Sequence, residues 1–580
     1  GIGKARADLV SVDASTRVLL SVTGATGGTA DAQVLDNLRL AITGRLGNRT
    51  RIARFANDAA AQGAEVVVFP ELAICGYPPE DLVLRPGFLD AQDAALARLA
   101  REVPQGLDVL VGCIVRNLAA ATEGGRALHN AVVLLQGGTV RLVAQKTLLP
   151  TYDVFDESRY FEPCKAPERN VVTLRGKRVG IVVCEDGWND EHFFDRRSYA
   201  IDPVERVVQA GAELVVNLSA SPWSRGKEAF RYRMVSAASV RHRVPMLYVN
   251  MVGGDVELQF DGGSLAVKPT GVAVQPIAFR EALVVVDTDA PWTETPAPVE
   301  VERMQHAAIV QGIRDYVRKF GFAKVVLGLS GGIDSALVAT LAVDALGSEN
   351  VAGIAMPSVH SSDHSLADAR ALAQNLGIAF HVLPIAPLQD TFAQVLEPVF
   401  RGTEPGLAEE NLQARMRGTL LMAFANKHGH LVLTTGNKSE CAVGYCTIYG
   451  DTNGALAPIA YLWKTEVWAL SRWLNRDGVR IPVNSIEKPP SAELRPGQFD
   501  TDSLPPYPEL DPVLRCLVEE ELSVEATAER TGMARERVAQ LLAKVHGAEW
   551  KRYQYPPTLR VSERCWSGRR MPVMHRYRER

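Results

Sequence analysis

From Leu38 to about Val286, short β-branched runs alternate with longer stretches whose apolar residues recur at helical spacing. The runs at 65–69 (EVVVF), 109–115, 131–135, 179–184 (VGIVVC), 213–218 (ELVVNL), 246–251 and 283–287 predict strands. Helical segments ending in Gly-Ala, at 59–64 and 204–212, run directly into two of them. Strands that are apolar throughout, alternating with helices, predict a layered α/β domain. A Pro- and Thr-rich stretch at 290–299 (APWTETPAPV) reads as a linker, followed by a helix at 302–320. A second α/β series then begins, with strands at 324–329, 351–356, 380–384 and 431–434. Another Pro-rich stretch, 489–512, precedes a helical tail. The expected division is an N-terminal extension at 1–37, a first domain at 38–289, a linker at 290–306 and a second domain at 307–580.

Composition narrows the class. A chain of 580 residues is too long for one ordinary domain. With 47% apolar and 22% charged residues it is neither collagen-like, nor a disulfide framework, nor disordered. A net charge of −4 supplies no chain-wide basic field, so no nucleic-acid partner is expected. The eight cysteines lack paired short spacings, which points to reduced thiols in a cytoplasmic enzyme. No apolar run approaches the roughly 20 residues of a membrane span, and no signal-peptide pattern opens the chain, so no membrane partner is expected. Residues 17–28 (RVLLSVTGATGG) imitate a dinucleotide-binding turn, but Thr29 and Ala30 stand where its third glycine belongs. The plainer reading is an extension ahead of the main domain.

Three predicted strand ends in the first domain carry residues suited to acyl chemistry. Glu71 follows EVVVF, Lys146 opens KTLLPTYDVFDESRYF, and Cys184 closes VGIVVC. A Cys184 thiolate attacks an amide carbonyl, Glu71 moves protons, and Lys146 stabilises thiolate and oxyanion. A strand-end cysteine is otherwise simply buried. The words PEL–x3–GY, K–x3–PTYDVFDE and CED–x–W together resemble the nitrilase superfamily over about 38–287, and match its Glu-Lys-Cys triad in order. PPEDL after GY and NLSASPWSRGK at 217–227 are similar to the glutaminase branch fused to NAD synthetases. That resemblance implies an αββα sandwich and assigns Tyr152, Ser221 and Lys227 to the substrate glutamine. A solvated surface lysine is the plain alternative for Lys227, and Glu185 and Asp186 would equally serve as structural acids pairing a local arginine. The family's Gln-Leu-Asn-Pro type segment after the first strand is missing here, since Leu40–Thr43 passes directly to Gly44–Asn48.

Residues 324–341 (KVVLGLSGGIDSALVATL) read as strand, glycine turn and helix. Backbone N–H groups at Gly328, Leu329, Ser330, Gly331, Gly332, Ile333, Asp334 and Ser335 would form a phosphate cradle, with Asp334 available to Mg²⁺. Gly328-Leu-Ser330-Gly-Gly332 also satisfies a nucleophile elbow; the following Asp334-Ser335, and the lack of a Walker lysine, favour the phosphate loop. SGGIDS resembles the ATP-pyrophosphatase family, which implies a doubly wound parallel sheet of the adenine nucleotide alpha hydrolase-like type. MPS at 356–358, SSDHSLADA at 361–369, EENLQAR at 409–415, TGNKSE at 435–440, GYCTIYGD at 444–451 and PPSAELRP at 489–496 are similar to its NAD synthetase members over roughly 307–580. On that match Thr435 would contact ATP, while Asn411, Glu440 and Lys551 would contact deamido-NAD⁺. Glu440 would join Asp334 as a Mg²⁺ ligand. Lys551, Arg552, Arg560, Arg564, Arg569 and Arg570 would screen dinucleotide phosphates, an ordinary solvated basic face being the alternative. Tyr461 stands where the family often carries an acid.

Together the resemblances imply a ligase that amidates deamido-NAD⁺ to NAD⁺ with ATP and with ammonia taken from L-glutamine, releasing AMP, pyrophosphate and glutamate. They also imply a shielded ammonia passage and a homo-oligomer, octameric in many members. An RNA-modifying ATP pyrophosphatase, an ammonia-dependent synthetase on a dead hydrolase scaffold, and a free-standing amidase remain as rivals.

Overall fold

The computed structural model describes residues 21–23, 48–274, 278–289 and 299–564, and beyond those 566, 568–575, 577 and 579. The expected extension at 1–37 (apart from 21–23), the glycine-rich segment at 24–28, the loop following Thr43 and the linker core at 290–298 lie outside the described residues. The chain divides into two units, Gly1–Met304 and Gln305–Arg580.

The first unit holds two sheets. One runs in the order Val66–Val68, Asp108–Arg116, Leu128–Gln136, Thr139–Gln145; the other in the order Gly271–Val274, Leu265–Lys268, Met246–Asn250, Leu214–Ser219, Lys177–Val183, Val171–Leu174. Side chains alternate across a strand, so each strand serves two layers. Val179, Ile181 and Val183 join Val68, Leu110, Val132 and Leu134 in a dry core between the sheets. Val182, between them in sequence, turns outward to Val204, Val207, Met234 and Val235 of the helices Pro203–Gln209 and Lys227–His242. On the far side Val67, Val109 and Val111 meet Ile52, Phe55, Leu96 and Leu99 from the helices Asn48–Ala61 and Pro86–Glu102. Helix, sheet, sheet, helix is the layering that the nitrilase resemblance implied.

Two sequence expectations change. The run at 283–287 forms no strand; only Glu281–Ala282 pairs, with Ser21–Thr23. Its alternation is satisfied by packing instead, since Val284 and Val286 reach the inter-sheet core without a ladder. Cys184 is not a strand residue either. It opens the turn Cys184–Gly187 with φ of 47°.

The second unit carries a four-stranded, wholly parallel sheet ordered Ala379–Val382, Val351–Ala355, Lys324–Gly328, His430–Val432. Val326, Ala352 and Ile354 face Met416, Leu421 and Ala425 of the helix Leu407–His428. The helix Ile333–Leu346 packs against Lys324–Gly328 and Val351–Ala355, and most of its residues are buried, on more than one face. The chain steps outward from Lys324–Gly328 in one direction, then returns to its other side as His430–Val432, which leaves a topological switch point between those two strands. The expected helical tail is present: Tyr507–Leu514, Val524–Thr531 and Arg535–Gly547 bury Leu510, Leu514, Val524, Val538, Leu541 and Val545 around Trp463. Among the described residues no helix is long and apolar enough to cross a membrane.

Gly112, in the strand Asp108–Arg116, lies under the turn that carries Glu71. A Cβ there would sit 2.4 Å from the Pro70 carbonyl and 2.7 Å from the Glu71 Cα. Both obstacles are backbone, so Gly112→Ala is expected to destabilise the first unit by about 1–3 kcal/mol. Scanning calorimetry reads this as a lower unfolding temperature, and an unchanged midpoint would show that the strand has slack there.

Candidate active sites

Glu71, Lys146 and Cys184 come together at the strand ends of the first unit. Lys146 Nζ donates to Glu71 Oε1 at 2.7 Å and to Glu157 Oε1 at 2.8 Å, and all three side chains are buried. Glu71 is fixed on every side: Asn130 Nδ2 donates to Oε1 at 2.7 Å and the Ala220 N–H to Oε2 at 3.0 Å. Tyr77 donates to Glu157 Oε1 at 2.8 Å. Burial disfavours the Lys146 charge, but Glu157 and Glu71 overcome it and hold the ammonium well above its ordinary range. One lysine cannot neutralise two carboxylates, and burial with the Glu71 charge pushes Glu157 up to about 7. Burial and the Glu71 charge also hold the Cys184 thiol above its usual range, against the pull of Lys146.

The turn bearing Cys184 is braced by its neighbours. Asp186 Oδ1 accepts from the N–H groups of Thr147 and Leu148 at 3.0 and 2.7 Å, and Oδ2 accepts from Val183 at 2.9 Å. This one carboxylate therefore sets the end of the Lys146 strand against the end of the Cys184 strand. Asn217 Oδ1 accepts from the Cys184 N–H at 2.7 Å, and its Nδ2 donates to the Cys184 carbonyl at 3.2 Å. Gly187 is required there, because a Cβ would lie 2.5 Å from Asn217 Nδ2. A non-glycine φ of 47° held by such bonds is a strained backbone at Cys184.

Around the thiol, Tyr152 donates to Glu185 Oε2 at 2.9 Å, and Tyr199 donates to Oε1 at 3.1 Å. Burial raises the Glu185 carboxyl, opposed by Lys146, the two phenols and Lys227. Lys227 opens the helix Lys227–His242, its Nζ 5.3 Å from the Trp188 ring. Ser221 is fixed through its backbone, its N–H donating to Asn250 Oδ1 at 2.8 Å and its carbonyl accepting from Asn250 Nδ2. Among the described residues Glu185 and Asp186 do not pair with an arginine as the alternative reading had them; one meets phenols, the other backbone. Glu157, Asn130, Tyr77 and Asn217 are additions. Glu157 stands in the motif that carries Lys146, eleven residues on, but no spacing rule marks it as Lys146's second partner.

In the second unit the loop 328–335 follows Lys324–Gly328 into the switch point, and TGNKSE enters it from His430–Val432. Gly331 has φ of 77°, and a Cβ on it would lie 2.3 Å from the Ser365 carbonyl, so only glycine fits. The Gly332 N–H donates to Ser330 Oγ at 3.2 Å, and Ser335 Oγ donates to the Gly332 carbonyl at 3.1 Å, setting the turn. Gly328, Leu329 and Ile333 supply backbone, the latter two with buried side chains. Thr435 lies just past the strand His430–Val432, half-buried.

Asp334 and Glu440 meet across the switch point through Lys464. Lys464 Nζ bonds Asp334 Oδ2 and lies 3.6 Å from Glu440 Oε1. Asn437 Nδ2 donates to Asp334 Oδ1 at 3.0 Å, and Asn437 Oδ1 accepts from the Glu440 N–H at 3.0 Å. Burial and the Asp334 charge push Glu440 up to about 8, against Lys464. Two carboxylates crowded in this way suit magnesium, which takes one or two of them and leaves its other positions to phosphate and water. Among the described residues no group of three or more His, Cys, Asp or Glu is assembled for a metal ion. Lys464 was not singled out from sequence.

Asn411 and Lys551 converge on the loop after the helix Lys438–Val443: Thr447 Oγ1 donates to Asn411 Oδ1 at 2.7 Å, and Lys551 Nζ donates to the carbonyls of Gly444 and Cys446 at 2.8 and 2.7 Å. Most of the tail's basic residues are otherwise engaged. Arg552 binds the carbonyls of Cys441 and Ala442, Arg560 that of Glu563, Arg564 pairs with Glu521 and Arg569 with Glu549. They hold the tail together instead of forming an open phosphate screen.

Comparison with known proteins follows the same division. Residues 41–297 match the carbon-nitrogen hydrolase family and residues 305–555 the NAD synthase family. A glutamine-dependent NAD(+) synthetase of Synechocystis sp. is 47% identical over 536 residues, covering 91% of this chain and 95% of the relative. That of Thermotoga maritima is 40% identical over 577 residues, covering 92% and 96%. The structure of glutamine-dependent NAD+ synthetase from Acinetobacter baumannii, in complex with adenosine diphosphate, is 34% identical with a TM-score of 0.68, covering 91% of this chain and 95% of that one. With both catalytic units matched in order and nearly the whole length shared, the chain belongs to the glutamine-dependent NAD(+) synthetases.

Proposed function

We propose that the first unit releases ammonia from L-glutamine and that the second uses it, with ATP, to convert deamido-NAD⁺ to NAD⁺, giving AMP, pyrophosphate and glutamate. The observation that carries this reading is the pairing on one chain of a buried Glu71–Lys146 couple beside a strained Cys184 with a glycine phosphate loop at a sheet's switch point.

Because the Cys184 thiol rests protonated, its attack needs a base, and Glu71 is the carboxylate whose charge it feels most strongly. Sγ would add to the glutamine side-chain carbonyl as its proton passes to Glu71. The Lys146 ammonium would steady the oxyanion. Glu71 would return the proton to the leaving nitrogen, so that ammonia departs and a glutamyl thioester remains. Glu71 would then take a proton from water, whose oxygen attacks the thioester and frees glutamate and the thiol. Tyr152, Ser221 and Lys227 would hold the glutamine, with the buried Glu185 as a fourth polar group beside them.

In the second unit the backbone donors from Gly328 to Ser335, with Thr435, would hold ATP. Asp334 and Glu440 would hold a magnesium ion, which neutralises charge on the phosphates. Asn411, Glu440 and Lys551 would orient deamido-NAD⁺ so that its carboxylate attacks the α-phosphorus and expels pyrophosphate. Ammonia then displaces AMP from the acyl-adenylate. Seven free cysteines among the described residues suit a cytoplasmic setting. A homo-oligomer belongs to the same reading: Val395 and Val399, on the helix Ala386–Phe400, are about 70% exposed (69% and 72%) on a helix with no fully buried residue.

The expected outcome for Cys184→Ala is loss of glutamine-driven NAD⁺ formation by a factor on the order of 10⁴, while ammonium-driven formation is retained. Normal glutamine use by that variant would show the nucleophile to be misassigned. Asp334→Asn is expected to depress both routes by about 100-fold; full ammonium-driven turnover would remove Asp334 from the ATP site. Val395→Glu combined with Val399→Glu should lower the mass seen by light scattering, and an unchanged mass would place the subunit contact elsewhere.

A further inference from the structure

Lys438 is fully buried, and the proposed chemistry does not use it. Its ammonium donates to Glu519 Oε1, to Ser562 Oγ at 2.7 Å and to the Arg564 carbonyl at 3.2 Å. The ring centroids of Trp463, Tyr461 and Trp566 lie 4.8, 5.5 and 5.9 Å away. The cage closes on itself. Trp463 Nε1 donates to the same Glu519 oxygen at 3.1 Å, and the Trp566 N–H donates to the Tyr461 hydroxyl at 2.5 Å. One cation thus ties together four stretches of chain that are far apart in sequence. An ammonium taken out of water requires such pairing, and here each of its three hydrogens has an acceptor.

Lys438 is also the first residue of the helix Lys438–Val443, directly after its N-cap. That cap is Asn437, whose carboxamide reaches Asp334 Oδ1 on one side and the Glu440 N–H on the other, both at 3.0 Å. The Asn437 N–H donates in turn to Glu440 Oε2 at 3.3 Å. The Lys438 N–H donates to the Leu462 carbonyl at 2.8 Å, so its backbone and side chain are both pinned. A residue held this firmly leaves the preceding carboxamide little freedom to rotate.

We propose that Lys438 is a positioning residue of the synthetase centre: the cage of Tyr461, Trp463, Glu519, Ser562, Arg564 and Trp566 fixes it, and through Asn437 it sets the spacing of Asp334 and Glu440 for a nucleoside triphosphate. This rests on the reading of the second unit as the ATP site. It gives Ser562, Arg564 and Trp566 a part in ATP binding that acts through Lys438. It also accounts for Tyr461 in place of an acid, since Glu519 supplies the counter-charge.

The test is calorimetric titration of the full chain with MgATP, beside ammonium-driven NAD⁺ formation and glutamate release from glutamine. Lys438→Met is expected to weaken MgATP binding by about tenfold, and to raise the KM for ATP to match. Its kcat should stay near that of the parent and its glutamate release should not change. Lys438→Arg, which keeps the charge in the cage, should recover most of the affinity. Trp566→Leu opens the cage from the tail alone and should shift MgATP affinity in the same direction, and it decides the matter if Lys438→Met does not fold. A cage that is merely structural would lower the unfolding temperature and leave MgATP affinity untouched, which overturns the proposal. A parent chain that binds MgATP but makes no NAD⁺ would sink the functional reading and leave the positioning role standing.

Discussion

Each unit is organised around a lysine ammonium that lies out of water between two carboxylates. Lys146 sits between Glu71 and Glu157, and Lys464 between Asp334 and Glu440. A buried ammonium is tolerated only with partners in good geometry, so these pairs constrain how the elements bearing them meet. In the first unit that demand reaches Asp186, whose carboxylate ties two strand ends together, and Asn217, which braces the turn at Cys184. Around the second lysine stand Asn437 and the helix it caps.

Both arrangements leave one carboxylate in excess, and both put it near neutrality. Glu157 is pushed up to about 7 and Glu440 up to about 8, burial being the larger cause in each case. The consequences differ because the openings differ. The excess in the first unit lies beside Cys184, whose thiol burial and the Glu71 charge hold above its usual range. In the second it lies at the carboxyl ends of a parallel sheet, where a divalent cation would bring the missing positive charge. On the proposed reading, a shared device would support proton transfer in one unit and charge neutralisation in the other.

The dry layers of the first unit were legible because period-two alternation is unambiguous on strands such as Lys177–Val183, where Val182 and its neighbours face opposite cores. The hairpin Val252–Asp255 with Leu258–Asp261 was not, since VGGD and LQFD lack β-branched runs and are held by pairing and burial. The edge strand Thr139–Gln145 was missed for the opposite reason: mostly exposed, it carries no core signal. At 283–287 a convincing alternation yielded packing without a ladder, because hydrophobic periodicity reports burial and is silent on which backbone will pair.

The sequence by itself determined the candidate reactive groups and their order: Glu71, Lys146, Cys184, then the glycine loop with Asp334. Each lies in a local motif, and a motif is a local constraint on backbone and side chain. Tertiary structure alone decided who partners them. Glu157 joining Lys146, Asn217 bracing Cys184, Lys464 spanning Asp334 and Glu440, and Lys438 caged by the tail all depend on strands and helices meeting in space. The tail arginines show the same limit from the other side, since a basic run cannot reveal whether its charges face a ligand or the chain's own carbonyls. Charge and chemistry are written residue by residue. Desolvation and pairing arise only when distant residues share a dry interior, and they set how those charges behave.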